Sequence, residues 1–236
     1  MSDTLAFTLV FTIIITSVGF TGLYGIDAVE NIRDSAQANT AERSMSDFAM
    51  GVREIQNDGS PQHVQRLELG GDRLQTTDSK IRVEIGYDDD SYTNETVPVG
   101  SFVRRTDSDT QLIYTTGATF RKESRGTIIT GTPAFRCGSD TAHASLIEVR
   151  GQVSQSSDGP VMVRTVTQNR ESITPLRPDK NTKNVTINVR STEYPDAWNR
   201  LFESELTKWS GTDGRYTCDG IERVVVHNTI VETTVN

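Results

Sequence analysis

Apolar positions follow two regimes along this chain. From Thr4 to Ile26 they run without a single formal charge, reading TLAFTLVFTIIITSVGFTGLYGI. At the α-helical rise this run covers roughly 34 Å, about the thickness of a bilayer's hydrocarbon core. Leu5, Phe7, Leu9, Val10, Phe11, Ile13, Ile14, Ile15, Val18 and Phe20 fall on all sides of a helical wheel. Such a helix belongs in lipid or inside a bundle of similar helices. The pattern stays helical beyond the run: Val29, Ile32, Ala36, Ala41, Met45, Phe48, Val52 and Ile55 recur mostly at spacings of three and four, separated by polar and charged residues. The two parts predict one N-terminal helix, hydrophobic over 4–26 and amphipathic over 27–57.

Two features mark the hydrophobic part. Thr4, Thr8, Thr12 and Thr16 fall four apart and form one stripe. Their hydroxyls can bond back to the carbonyl one turn earlier, which suits either a close-packing seam between helices or plain tolerance of threonine without water. Gly19, Gly22 and Gly25 follow at spacings of three, each costing about 1 kcal/mol relative to alanine in a helix interior. They predict the helix's weak point, loosened on assembly or else a small-residue seam.

Asn57-Asp58-Gly59-Ser60-Pro61 ends the helix, because Gly and Pro together break the pattern. The rest, 58–236, has the texture of short alternating runs between turn residues. Strands are predicted over 64–69, 80–87, 101–106, 111–116, 126–130, 144–150, 161–167, 185–190, 223–227 and 229–235. One amphipathic helix interrupts them, started by Pro195 and Asp196 and followed by Gly211, with Trp198, Leu201, Phe202, Leu206 and Trp209 on its apolar face. The two tryptophans either cap the open end of the strands or form a ligand platform. The expected fold is α+β: a long helix, then an antiparallel Ig-like β-sandwich head carrying one short helix.

Charge narrows the partners. The net charge of −8 gives no cationic surface for nucleic acid. Lysine is scarce against arginine, a bias that a high-salt organism or GC-rich codons would each produce. The first cation is Arg33, so no Lys or Arg stands before the apolar run as in an ordinary secretory signal peptide. Either Met1 is the initiator or a basic leader has been cut away before it. Two cysteines, Cys137 and Cys218, and two sequons point to an extracellular head, and both sequon asparagines are expected to carry glycans: Asn94 in the polar tip over 88–96 and Asn184 at the opening of a predicted strand. The cysteines are expected to form a disulfide, with two buried thiols as the other reading.

Ser2-Asp3-Thr4-Leu5-Ala6-Phe7, then Leu9-Val10-Phe11 and the long helix, resemble the amino terminus of haloarchaeal type IV pilin-like proteins of the class III signal type. Tyr194-Pro195-Asp196-Ala197-Trp198-Asn199-Arg200-Leu201-Phe202-Glu203 resembles the short Trp-containing helix near the end of these proteins. The resemblance covers about the first 50 residues and is diffuse beyond them. It implies a filament of copies of this chain, with the helix in the core and the head in solvent. It also implies anchoring in the cytoplasmic membrane before assembly, cleavage by a prepilin peptidase and handling by a pilus assembly machinery. Bacterial type IV pilins carry a glutamate at mature position five, where this chain has Leu5; any acid meeting a neighbour's amino terminus would have to be Asp3.

Catalytic and cofactor motifs are not found. His63, His143 and His227 lie far apart in sequence with no HExxH spacing, and neither G-x-S-x-G nor a phosphate-cradling P-loop occurs. Asp88-Asp89-Asp90 offers hard oxygen ligands but lacks the glycine and distal glutamate of a calcium loop. It reads as a solvated hairpin tip, so no metal and no cofactor are expected. The sequence therefore predicts a structural pilin, not an enzyme, in an extracellular adhesive filament. The alternatives are a minor pilin-like component and a single-span membrane-anchored surface protein.

Overall fold

A computed structural model describes the backbone of residues 2–106, 110–173 and 180–236, and the side chains of these except 2–4, 20–35 and 173. The fold is α+β. Helix α1 (Ser2–Asp58) is followed by β1 (Gln62–Glu68), β2 (Arg73–Thr77), β3 (Lys80–Tyr87), β4 (Tyr92–Pro98), β5 (Ser101–Arg105), β6 (Gln111–Thr115), β7 (Ala118–Glu123) and β8 (Gly126–Gly131). Then come β9 (Phe135–Cys137), β10 (Thr141–Arg150), β11 (Ser154–Ser156), β12 (Pro160–Ile173), β13 (Thr182–Asn188), α2 (Pro195–Ser204), β14 (Ser210–Thr212), β15 (Arg215–Asp219) and β16 (Arg223–Val235).

The strands form three sheets, ordered β1-β12-β16-β10-β9, β11-β2-β5-β6-β7-β8 and β14-β15-β13-β3-β4. A two-sheet Ig-like sandwich was expected. Pairing is antiparallel throughout the described residues except between β10 and β16, which run parallel from Thr141↔Arg223 to Arg150↔Glu232. The predicted strands over 223–227 and 229–235 are one strand, β16. Asn228 and Thr229 are buried within it, and a polar pair that reads as a turn is here an interior segment of a central strand.

The chain divides into two compact units, Met1–Ala41 and Glu42–Asn236. The boundary falls inside α1, not at its end near residue 57, because Met45, Phe48, Val52 and Ile55 are buried within the second unit. Their spacing of three and four places all four on one helical face. Phe48 stacks on Phe102 at 4.5 Å between ring centres and meets Tyr114 edge-on at 5.2 Å. Gly51 leaves room for the His63 ring, whose atoms lie 2.3 Å from where a Cβ would sit.

β5 and β6 present opposite faces to two apolar layers. Phe102 and Tyr114 meet the helix, while Val103 and Ile113 join a second core with Ile81, Val83 and Ile85 of β3 and Val224 and Val226 of β16. Successive side chains of a strand point to opposite faces, and with both faces covered β5 and β6 are buried almost throughout. α2 closes the second core. Trp198 packs on Phe120 and Phe135, and Phe202 stacks on Tyr216 at 4.2 Å. Leu206 and Trp209 follow α2 in the next turn instead of extending it, and the buried indoles of Trp198 and Trp209 form core, not a ligand platform.

Candidate assembly helix and its anchorage

In the first unit, Leu5, Phe7, Leu9, Val10, Phe11, Ile13, Ile14, Ile15 and Val18 are all exposed, from 54% at Val10 and Ile14 to 72% at Leu5 and Phe7. Exposed leucines are ordinary on a protein surface, but a continuous apolar sleeve is not. The hydroxyls of Thr12 and Thr16 donate to the carbonyls of Thr8 and Thr12 at 2.8 and 2.7 Å, the back-bonding their spacing predicts. The polar groups of these threonines are thus satisfied inside the helix and need no water. A Cβ added at Gly19 would meet nothing within 4 Å. Thr4, Phe20, Gly22 and Gly25 lie outside the residues whose side chains are described. Among the described residues no helix is long and apolar enough to cross a membrane. The described side chains of the apolar run stop at Gly19, so they cover only roughly 22 Å.

The second unit grips the last turns of α1 with polar contacts as well as apolar ones. Arg104 on β5 is 2% exposed; its Nε pairs with Asp72 at 2.6 Å and its Nη1 donates to Ser44 Oγ at 3.0 Å. Its Nη2 donates to the carbonyl oxygens of Glu68 at 2.8 Å and Leu69 at 3.4 Å. The guanidinium's fixed fork of donors suits this arrangement, where one cation joins a helix, a strand end and a turn. Gln65 donates to the Ser44 carbonyl and Arg121 pairs with Glu42. At the helix C-terminus, Arg170 Nη2 donates to the carbonyls of Ile55 and Ser60 at 2.8 and 3.3 Å. A cation there satisfies orphan carbonyls and meets the negative end of the helix dipole.

The remaining sequence candidates fall as follows. Cys137 and Cys218 are bonded, with Cα atoms 5.7 Å apart, joining β9 of the first sheet to β15 of the third across the second core. A non-reduced tryptic digest is expected to show one linked species carrying both cysteines; free thiols in freshly isolated protein would contradict the bond. Asp88 to Asp90 form the turn between β3 and β4. Asp89 pairs with Lys180, and Asp90 Oδ1 lies 3.2 Å from Lys183 Nζ. Hydrogen bonds from Lys180 and Ser91 hold the Asp89 carboxyl well below the usual carboxylate range. Among the described residues no group of three or more His, Cys, Asp or Glu is placed to hold a metal ion.

Two placements were invisible in the sequence. His143 and His227, distant in the chain, lie 5.6 Å apart between ring centres because β10 and β16 run side by side. Burial pulls His143 below its ordinary pKa, aided by the charges of His227 and Arg136. Asn94 does not sit in the hairpin tip; it lies in β4, the outermost strand of the third sheet. Asn184 lies inside β13, between β3 and β15.

Over residues 1–236 the sequence matches the family of unknown function DUF7289. The chain belongs to that family. No curated protein and no solved structure matches it. Membership of DUF7289 assigns no activity, so a functional reading rests on the chemistry of the chain itself.

Proposed function

We propose that this protein is the subunit of an extracellular, type IV pilus-like filament that polymerises through its N-terminal helix and serves adhesion. The observation that carries this reading is the apolar sleeve from Leu5 to Val18, more than half exposed at each large side chain while its threonines bond internally. A surface of this kind is stable only when lipid or other apolar helices cover it. Copies of the same helix are the occupant favoured here, because Thr12 and Thr16 keep their hydroxyls bonded within the helix and leave small side chains on which apolar helices can approach closely. The resemblance of the first fifty residues to archaeal type IV pilin-like proteins points the same way.

On this reading the membrane holds the subunit only before assembly, a prepilin peptidase and an assembly machinery process it, and the head faces solvent. The test is electron microscopy of filaments sheared from the surface of the native host, with mass spectrometry of their subunit. Filaments built mainly from this chain are the expected result. Finding the chain only in the membrane fraction, with filaments made of another protein, would replace the proposal with a membrane-anchored or minor-component role.

A further inference from the structure

Among the described residues β4 has no strand on its outer side. An edge strand of this length is a template on which another chain can pair unless something covers it. Along β4, Tyr92, Asn94 and Thr96 alternate onto one face, opposite Gly86, Glu84 and Arg82 of β3. Tyr92 is 68% exposed, and Asn94 is exposed beside it. Residues two apart on a strand are separated by about 6.6 Å, within reach of a sugar ring attached to the Asn94 amide.

The second sequon differs in every one of these respects. Asn184 is half-buried, and strands flank it on both sides. Its Oδ1 lies 2.5 Å from where a Cβ on Gly86 would be, so its amide is packed onto the one position that lacks a side chain. The hydroxyl of its sequon residue Thr186 is buried and bonded to that of Thr217 at 2.8 Å.

From these contrasts we infer that Asn94, and not Asn184, carries an N-linked glycan whose first sugar lies on the face of Tyr92 and covers the β4 edge. The inference rests on the extracellular placement proposed above. The donor is a phosphate-activated sugar on a lipid carrier. Asn94 Nδ2 bonds to the anomeric carbon, the bond from that carbon to the phosphate oxygen breaks, the lipid phosphate leaves and the amide gives up one proton. No oxidation is involved. The sugar's C–H groups then meet the electron-rich ring face of Tyr92, as aromatic platforms hold apolar edges.

Protein from the native host separates the possibilities. The tryptic peptide 83–104 should carry the added sugar mass, lost in Asn94→Gln, and the peptide 184–190 should be bare. In the NMR spectrum of the solubilised glycoprotein, sugar protons should be shifted upfield by the Tyr92 ring. The shift should persist in Tyr92→Phe and vanish in Tyr92→Leu. A bare 83–104 peptide from protein on the cell surface overturns the inference and leaves the filament reading intact, whereas a bare peptide from protein that never leaves the cell overturns both. A modified 184–190 peptide, or sugar signals unchanged in Tyr92→Leu, defeats the assignment of site or of platform respectively.

Discussion

Cells carrying Val10→Arg are expected to shed no filaments, while the head of the same chain still folds and closes its Cys137–Cys218 bond. Val10 sits among Leu9, Phe11, Ile13 and Ile14 on the stretch of α1 from Leu5 to Val18, whose large apolar side chains are all exposed. If neighbouring copies bury that surface, a guanidinium there loses its water with no anion to replace it. Insertion at the centre of an apolar helix costs about 2.5 to 3.5 kcal/mol for arginine, which is on the order of a hundredfold in each subunit's affinity for the filament. Growth should stop. Val10→Leu keeps the apolar surface and should assemble normally. Val10 belongs to the first compact unit and the head's core to the second, so the head's own fold is expected to survive either change. Filaments of normal number and length from Val10→Arg cells would refute the proposed core.

The second large effect is expected at Arg104. Replacing it with alanine removes the counter-charge of the buried Asp72 and the donors to Ser44, Glu68 and Leu69. Breaking a buried pair from one side costs about 3 to 5 kcal/mol, most of it the stranded charge. Against a total stability of about 5 to 15 kcal/mol this is a large share. For a domain of this size the midpoint of thermal unfolding should fall by roughly 6 to 20 °C. Combining Arg104→Ala with Asp72→Asn should recover at least about 1 kcal/mol, because the amide no longer strands a charge. A fall of less than about 1 kcal/mol for Arg104→Ala alone would mean that the network contributes little to holding α1 against the strands.

What could be read in the sequence was what depends on local pattern. The end of α1 near Asp58, the stripe of Met45, Phe48, Val52 and Ile55, and the alternation that bounds β3 all follow from side-chain period, which the chain writes in consecutive residues. The pairing of Cys137 with Cys218 was legible because no other cysteine competes. β4 was missed because an edge strand with polar residues on both faces, YTNETVP, shows no apolar alternation. β15 was missed because RYTCD sets only two apolar residues between charged ends. Arg104 was invisible for a different reason: an arginine in a strand normally marks the solvent face, and only the folded arrangement brings Asp72, Ser44 and two carbonyls around it. The third sheet and the parallel strand pair are likewise products of long-range topology, about which periodicity is silent.

That parallel pair has a consequence for timing. β16 is translated after every other described strand, yet it lies between β12 and β10 near the middle of its sheet. Until it is made, β10 has only the three-residue β9 as a partner in that sheet, and Val224, Val226, Ile230 and Val231 are missing from the interior. At about 5 to 20 residues per second, synthesis from the end of α1 to β16 takes on the order of ten seconds or more. Contacts so distant in sequence also form slowly once the chain is complete. For that interval the ribosome presents a finished α1 followed by a chain that has not closed its central sheet. If the head is exported as proposed, this delay leaves it open for the interval in which a channel that takes only unfolded chains could pass it.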